Sequence, residues 1–175
     1  PLNAVGQIRT RIFADVSVDV GPGLVRRTSC FHYTGVMTDR TREPFGPGTP
    51  VRAVGHRGAA AVAPENTLPG FRHARDVGAD AVELDVQCSR DGALMVIHDD
   101  TVDRTTDGTG EVDEMSRAEL RELDAGHAFT PDRGRSFPYR GEGVGIPTLD
   151  EVADATADLP MIVEVKSERA GRALG

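Results

Sequence analysis

The segment Ala81-Val-Glu-Leu-Asp-Val86 constrains the fold of this chain more than any other. Apolar Val82, Leu84 and Val86 alternate with Glu83 and Asp85, and successive side chains of a strand point to opposite faces. One face must therefore be buried, while the other carries two carboxylates. Two such groups repel each other in a dry site unless a cation lies between them. Spacing alone leaves two readings open. One is a solvated strand face bearing two ordinary charges. The other is a site whose oxygen-only ligands favour Mg2+ or Ca2+ over zinc.

Around this strand the punctuation is regular. Residues 51–55 form a short apolar run ending at His56-Arg57-Gly58. Asn66 or Thr67 can cap a helix reaching about Val77, with Leu68, Phe71, Ala74 and Arg75 on one face, Pro69 in its first turn and Gly78 ending it. Residues 93–97 read as a further strand after the turn signal Ser89-Arg90-Asp91-Gly92. Ser116 with Glu119, and Thr148 with Glu151, have the capping-box spacing that opens a helix. Pro160 then leads into an apolar strand, 161–165. Strands alternating with helices predict an α/β architecture.

The strands 81–86 and 93–97 depart from that rule. The six residues between them are too few for a parallel crossover, which needs a dozen or more. The spacing predicts a hairpin. With its turn centred on Arg90-Asp91, Val96 falls opposite Asp85 and His98 opposite Glu83, which sets the histidine on the carboxylate face.

Glu164 and Lys166 repeat the two-residue spacing on the strand that starts at Met161. They are either a surface ion pair or, because the strand is otherwise apolar, buried charges that need partners. His56 and His98 each follow a strand. They are structural residues or an acid–base pair suited to work near neutral pH. Arg57 is a surface arginine or a donor of paired hydrogen bonds to phosphate. The stretch from Asp103 to Glu114 has the acidic ends and central glycine of a calcium-binding EF-hand loop. It departs from that pattern at Thr105 and Gly110, and a strand precedes it where a helix should, so it reads as a Gly- and Asp-shaped loop.

Composition bounds the rest. The 175 residues suit one domain, and a net charge of −8 argues against a nucleic-acid partner, which calls for a basic surface. A small phosphorylated substrate stays open, since it needs only a local positive cluster and a metal. No run approaches the roughly 18 apolar residues of a membrane span. Asp15 and Asp19 interrupt the most apolar N-terminal stretch, unlike a signal peptide, although a chain starting at Pro1 leaves a removed leader open. Cys30 and Cys88 lack metal-site spacing and read as free thiols, which suits a cytoplasmic location. Residues 1–49 show a single strand-like alternation, at Val16, Val18 and Val20, and end in the breaker-rich linker 43–50.

From residue 51 to about 166 the ordered motifs resemble the glycerophosphodiester phosphodiesterase family. They are His56-Arg-Gly, Ala63-Pro-Glu-Asn-Thr67 with Phe71, Gly78 to Val86, Asp91-Gly, His98-Asp, Asp103-Arg-Thr-Thr-Asp-Gly, Leu123-Asp-Ala-Gly126, Ile146-Pro-Thr-Leu149 and Glu164-Val-Lys166. The resemblance implies a TIM barrel with its site at the C-terminal strand ends. It implies that Glu83, Asp85 and Glu164 bind one divalent cation, Ca2+ or Mg2+. By the same resemblance His56 and His98 are the acid–base pair, Arg57 and Lys166 hold phosphate, and Glu65 and Asn66 orient groups at the site edge. The implied reaction splits a small glycerophosphodiester into glycerol 3-phosphate and an alcohol.

Residues 1–49 match nothing in that pattern and are left as an unassigned extension; 50–175 is the part that resembles the family. A complete barrel takes about 250 residues and at least 200, whereas four strands are read here after residue 50. The expectation is therefore the N-terminal half of a (β/α)8 barrel, a piece of a longer enzyme whose open strand edges favour self-association. A related phospholipase-type phosphodiesterase and an inactive barrel fragment are the competing readings.

Overall fold

The structure, a computed structural model, describes residues 53–156 and 159–174, together with the backbone of 12–15 and 30–32. In chain order the elements are β1 (Ile12–Asp15), β2 (Cys30–His32), β3 (Val54–Gly55), α1 (Leu68–Asp76), β4 (Ala81–Cys88), β5 (Leu94–Val96), α2 (Arg117–Glu122), α3 (Leu149–Thr156), β6 (Met161–Val165) and α4 (Glu168–Leu174), with a 3-10 turn at Val112–Glu114. The fold is mixed α/β. The sheet runs β2-β1-β6-β4-β3, and β5 pairs with β4 off that path. β3, β4, β6 and β1 are mutually parallel, and β2 is antiparallel to β1.

Two of these strands fall within 1–49, the segment left unassigned by the sequence. β1 lies along β6, so the β6 edge, which a half-barrel would leave open, is paired, and Asp15 stands in register with Glu164. The alternation at Val16–Val20 and the linker 43–50 lie outside the described residues.

The apolar alternation places the core. Val82, Leu84 and Val86 of β4 and Met161, Val163 and Val165 of β6 pack with Phe71 and Ala74 of α1, Leu149 and Val152 of α3, and Ala170 of α4. Fully burying a side chain such as Leu84 or Phe71 stabilises by roughly 1.5–3 kcal/mol. The opposite face of β4 is left to Glu83, Asp85 and Gln87. A second cluster, built on Met95, Ile97, Val102, Val112, Leu120 and Ile146, fills the excursion between β5 and α3.

The helix starts follow the sequence closely. Thr67 is the N-cap residue of α1, with a proline in the first turn. Its hydroxyl donates to the Pro64 carbonyl at 2.6 Å instead of capping the helix. Arg75, expected on the buried face, is exposed and donates to the Ala155 carbonyl at 2.7 Å, tying α1 to α3. Both capping boxes form, at Ser116 with Glu119 and at Thr148 with Glu151. The helix α4 was not anticipated.

The hairpin forms, but one residue out of the expected register. Val86, Gln87 and Cys88 face Val96, Met95 and Leu94, and the Ile97 N–H donates to the Asp85 carbonyl at 3.1 Å. Asp85 is thus opposite Ile97, and His98 is not set across from Glu83. The cause is the turn. Gly92 adopts a left-handed φ of 89°, so the loop takes three residues, 90–92, where two were expected. Such loops combine a tight turn with a left-handed glycine and shift the pairing by one. Because β5 is a hairpin arm, only three of the four strands read after residue 50 are parallel members of the sheet.

In the loop that mimics an EF-hand, two carboxylates accept from backbone N–H groups, one inside the loop and one beyond it. Asp103 Oδ2 accepts from the Gly110 N–H at 2.9 Å and Asp107 Oδ1 from the Asp124 N–H at 2.8 Å. Among the described residues no helix is long and apolar enough to cross a membrane. Cys88 is a buried free thiol.

Candidate functional site

Three carboxylates meet where β4 and β6 run side by side. The parallel register sets Asp85 beside Glu164, and Glu83 lies two residues back on the same face. One oxygen from each of Glu83, Asp85 and Glu164 lies within 4.8 Å of the others. Asp85 is fully buried, Glu83 half-buried, and the Glu164 side chain 37% exposed.

Two cations face this cluster. Lys166 Nζ lies 2.7 Å from Glu164 Oε1 and 3.0 Å from Asp85 Oδ1. Arg57 Nε lies 3.3 Å from Asp85 Oδ2. Burial opposes the Lys166 charge, but the contacts with the Glu164 and Asp85 carboxylates outweigh it and hold the ammonium above its ordinary pKa. Burial pushes the Glu83 carboxyl up, aided by the Asp85 charge and only partly offset by the Arg57 backbone N–H.

The loop after β3 brings Arg57 into place. Arg57 and Asn66, neither of them glycine, both adopt left-handed backbone, with φ of 48° and 55°. Conformations of this kind cost about 1–3 kcal/mol and persist where surrounding contacts over-determine them. Here the Arg57 N–H donates to Glu83 Oε2 at 2.9 Å and the Asn66 N–H to the Arg57 carbonyl at 3.0 Å. Asn66 Nδ2 donates to Asp85 Oδ2, also at 2.9 Å. Gly58 lets the loop lie against α1, since a Cβ there would fall 2.8 Å from the Gly70 carbonyl carbon.

A second layer of ion pairs surrounds Arg57. Its Nη1 donates to Glu65 Oε1 at 2.8 Å. Arg104 grips the same carboxylate with both terminal nitrogens, at 2.9 and 2.8 Å, while its Nε donates to Asp99 Oδ2 at 2.5 Å. Asp99 Oδ1 in turn lies 2.6 Å from His98 Nδ1. The bond from Arg104, helped by His98, holds the Asp99 carboxyl down at about 2.

The structure thus gathers Arg57, Glu65, Asn66, Glu83, Asp85, Glu164 and Lys166 into one contact network, with His56 at its rim. The His56 side chain is 71% exposed, and its Nε2 lies 3.9 Å from Glu83 Oε2. His98 joins through Asp99 and Arg104, not through the carboxylate face of β4. Asp99 and Arg104 are the members that residue-type reasoning passed over. Both stand inside the motifs His98-Asp and Asp103-Arg-Thr-Thr, but nothing in their spacing reveals that Arg104 bridges Asp99 and Glu65.

Whether the three carboxylates suit a metal ion is testable on Asp85. Its Oδ1 is buried and makes no aligned hydrogen bond; the Lys166 ammonium nearby is an ion-pair contact only. An under-satisfied buried carboxylate oxygen beside two more carboxylates is an oxygen donor set that a hard divalent cation fits.

Residues 56–173 match the model of the glycerophosphoryl diester phosphodiesterase family. A glycerophosphodiester phosphodiesterase of Caldanaerobacter subterraneus subsp. tengcongensis is 44% identical over 113 residues, which is 65% of this chain and 43% of that protein. Among solved structures, the glycerophosphoryl diester phosphodiesterase domain of a Mycobacterium tuberculosis protein superposes with a TM-score of 0.66 at 31% identity, over 70% of this chain and 46% of that one. An Oleispira antarctica phosphodiesterase, solved with the product sn-glycerol-3-phosphate, gives 0.59 at 36% identity, over 66% and 44%. The chain spans less than half the length of each of these relatives.

Proposed function

The chain belongs to the glycerophosphoryl diester phosphodiesterase family, and we propose that it carries the cation-binding and acid–base residues of an enzyme that splits glycerophosphodiesters into glycerol 3-phosphate and an alcohol. The observation that carries this reading is the meeting of Glu83, Asp85 and Glu164 with Arg57 and Lys166 around one buried carboxylate. Anionic ligands for a divalent cation and fixed cations for a phosphate are then side by side.

Residues 50–175 are read as the N-terminal part of the enzyme domain, and β3, β4 and β6 as parallel strands of a TIM barrel. Arg57, Glu164 and Lys166 lie at or just past the C-terminal ends of β3 and β6, with Glu83 and Asp85 beside them on β4, which supports a site at the end of the barrel where sites of that fold lie. Self-association, if the sheet edges drive it, would run through β2 or β3, the terminal strands.

Glu83, Asp85 and Glu164 would hold one Ca2+ or Mg2+. When bound, that ion neutralises charge building on the phosphoryl oxygens. Arg57 and Lys166 bind the phosphate and fix the diester in place, with Glu65 and Asn66 holding Arg57 and Asp85 in position. One of His56 and His98 takes the proton from a free glycerol hydroxyl as its oxygen bonds to phosphorus. The other gives a proton to the departing alkoxide as its P–O bond breaks. Water then opens the cyclic phosphate with the two roles exchanged, leaving glycerol phosphate.

The test is to incubate the chain with glycerophosphocholine, with and without EDTA, and to identify the phosphorylated product. The reading expects glycerol 3-phosphate, lost on chelation and restored by Ca2+ or Mg2+. Release indifferent to EDTA would contradict the cation role, and phosphocholine as product would point to phospholipase C-type cleavage instead.

A further inference from the structure

Arg104 has no place in the reaction scheme above, yet its guanidinium makes three of the hydrogen bonds that bound the site. Two go to Glu65 Oε1 and Oε2, at 2.8 and 2.9 Å, and the third, from Nε, goes to Asp99 Oδ2 at 2.5 Å. Each carboxylate also has a second partner. Glu65 Oε1, already bonded to Arg104, accepts from Arg57 Nη1 as well, and Asp99 pairs through its other oxygen, Oδ1, with His98 Nδ1. We propose, resting on the reading of His98 and Arg57 given above, that Arg104 is a positioning residue that fixes the acid–base histidine and the phosphate-binding arginine relative to each other through Asp99 and Glu65.

The chemistry of the chain of contacts favours this over an incidental surface pair. A planar guanidinium offers its donors in a rigid fork, so binding two carboxylates sets their separation and orientation together. An ionised carboxylate can only accept, so Asp99 requires the proton on His98 Nδ1 and leaves Nε2 as the nitrogen free for chemistry. The low pKa of Asp99, about 2, keeps that carboxylate ionised across the working range. Residues on either side of His98 are tied to β4 independently, one through its backbone and one through its side chain. The Ile97 N–H donates to the Asp85 carbonyl at 3.1 Å, and Gln87 Nε2 donates to Asp100 Oδ1 at 2.8 Å. The His98 ring is in turn held by Asp99, which Arg104 fixes from its other oxygen. On the other arm, Glu65 leaves the Arg57 guanidinium turned toward Asp85.

The experiment compares Asp99→Asn, Glu65→Gln, Arg104→Gln and Arg104→Lys, reading the His98 ring nitrogens by 15N NMR above the imidazole titration range and then kcat and KM for glycerophosphocholine. In the wild type the proton should reside on Nδ1. Asp99→Asn should mix the two tautomers and lower kcat by about tenfold or more with KM little changed. Glu65→Gln should mainly raise KM. Arg104→Gln should do both, and Arg104→Lys, which keeps the charge but not the fork, should recover only part. The ring-nitrogen signals are read without turnover, so an inactive preparation that still shows the tautomer change would count against the proposed reaction and for the bridge. Unchanged His98 signals in Arg104→Gln, or a loss confined to one of the two kinetic parameters, would overturn the role assigned to Arg104.

Discussion

Asn66 and Asp85 hold each other by both ends. Asn66 Nδ2 donates to Asp85 Oδ2 at 2.9 Å, and the Asp85 backbone N–H donates to Asn66 Oδ1 at 3.4 Å. Asn66 is buried and left-handed at φ 55°, so one residue both turns the loop into α1 and gives a hydrogen bond to a buried carboxylate.

Replacing Asn66 with Ala should therefore be costly twice. A hydrogen bond to a charged group is worth about 1.5–3 kcal/mol, and Ala tolerates left-handed backbone less well than Asn by a part of the roughly 1–2 kcal/mol which that conformation costs, so a loss of about 2–4 kcal/mol is expected in urea unfolding. Asn66→Gly keeps the backbone without strain and should recover about 1 kcal/mol of that. Equal losses in the two variants would remove the backbone part of this account.

Glu83 makes stability fall with pH in cation-free protein. Burial raises its carboxyl above the ordinary 4.5, so the folded state binds the proton more tightly than the unfolded one. Stability then declines as pH rises from about 4.5 through the raised value, because the folded chain has to release that proton. In EDTA at neutral pH, Glu83→Gln should melt at a higher temperature than the wild type. The same variant should lose most of any increase that Ca2+ or Mg2+ gives the wild type. A lower melting temperature in EDTA would show that the charge at Glu83 is stabilising without an ion.

Asp99 acts in the opposite sense and in a lower window. Its carboxyl is depressed from 3.8 to about 2 by Arg104 and His98. Its contribution is complete above about pH 4 and is lost as pH falls toward 2. Asp99→Asn should flatten that part of the acid-unfolding curve and leave the slope above pH 5 unchanged. A curve parallel to the wild type between pH 4 and 2 would count against the Asp99–Arg104 contact in solution.

How much of this was legible in the sequence depends on the range of the contacts. The face of Glu83 and Asp85 followed from alternation along one strand, and both capping boxes from three-residue spacings. The hairpin register departs by one residue from the two-residue turn that the spacing suggests, because the left-handed backbone of Gly92 makes it part of the turn. Ile12–Asp15 gave no periodic signal, being four residues whose pairing with β6 is set across the sheet. Within the site, the ordered motifs marked His56, Arg57, Glu65, Asn66, His98, Glu164 and Lys166, but not the Arg104 fork that joins two loops 39 residues apart.

His98→Ala should separate chemistry from folding. The ring is partly exposed and its side-chain partner Asp99 is also held by Arg104. The melting temperature should therefore change little, whereas glycerophosphodiester cleavage should fall by about 10²–10⁴-fold, as expected for loss of an acid–base group. Retention of most of the activity would remove His98 from the mechanism.

The central claim is that Glu83, Asp85 and Glu164 form one divalent-cation site. Calorimetric titration of Ca2+ and of Mg2+ into the wild type and Glu164→Gln tests it most directly, because the Glu164 side chain is more than a third exposed and its loss spares the core. The account predicts one ion bound per wild-type chain by at least one of the two metals, and at least tenfold weaker binding in the variant. Equal binding by both proteins, or none by the wild type, would contradict it.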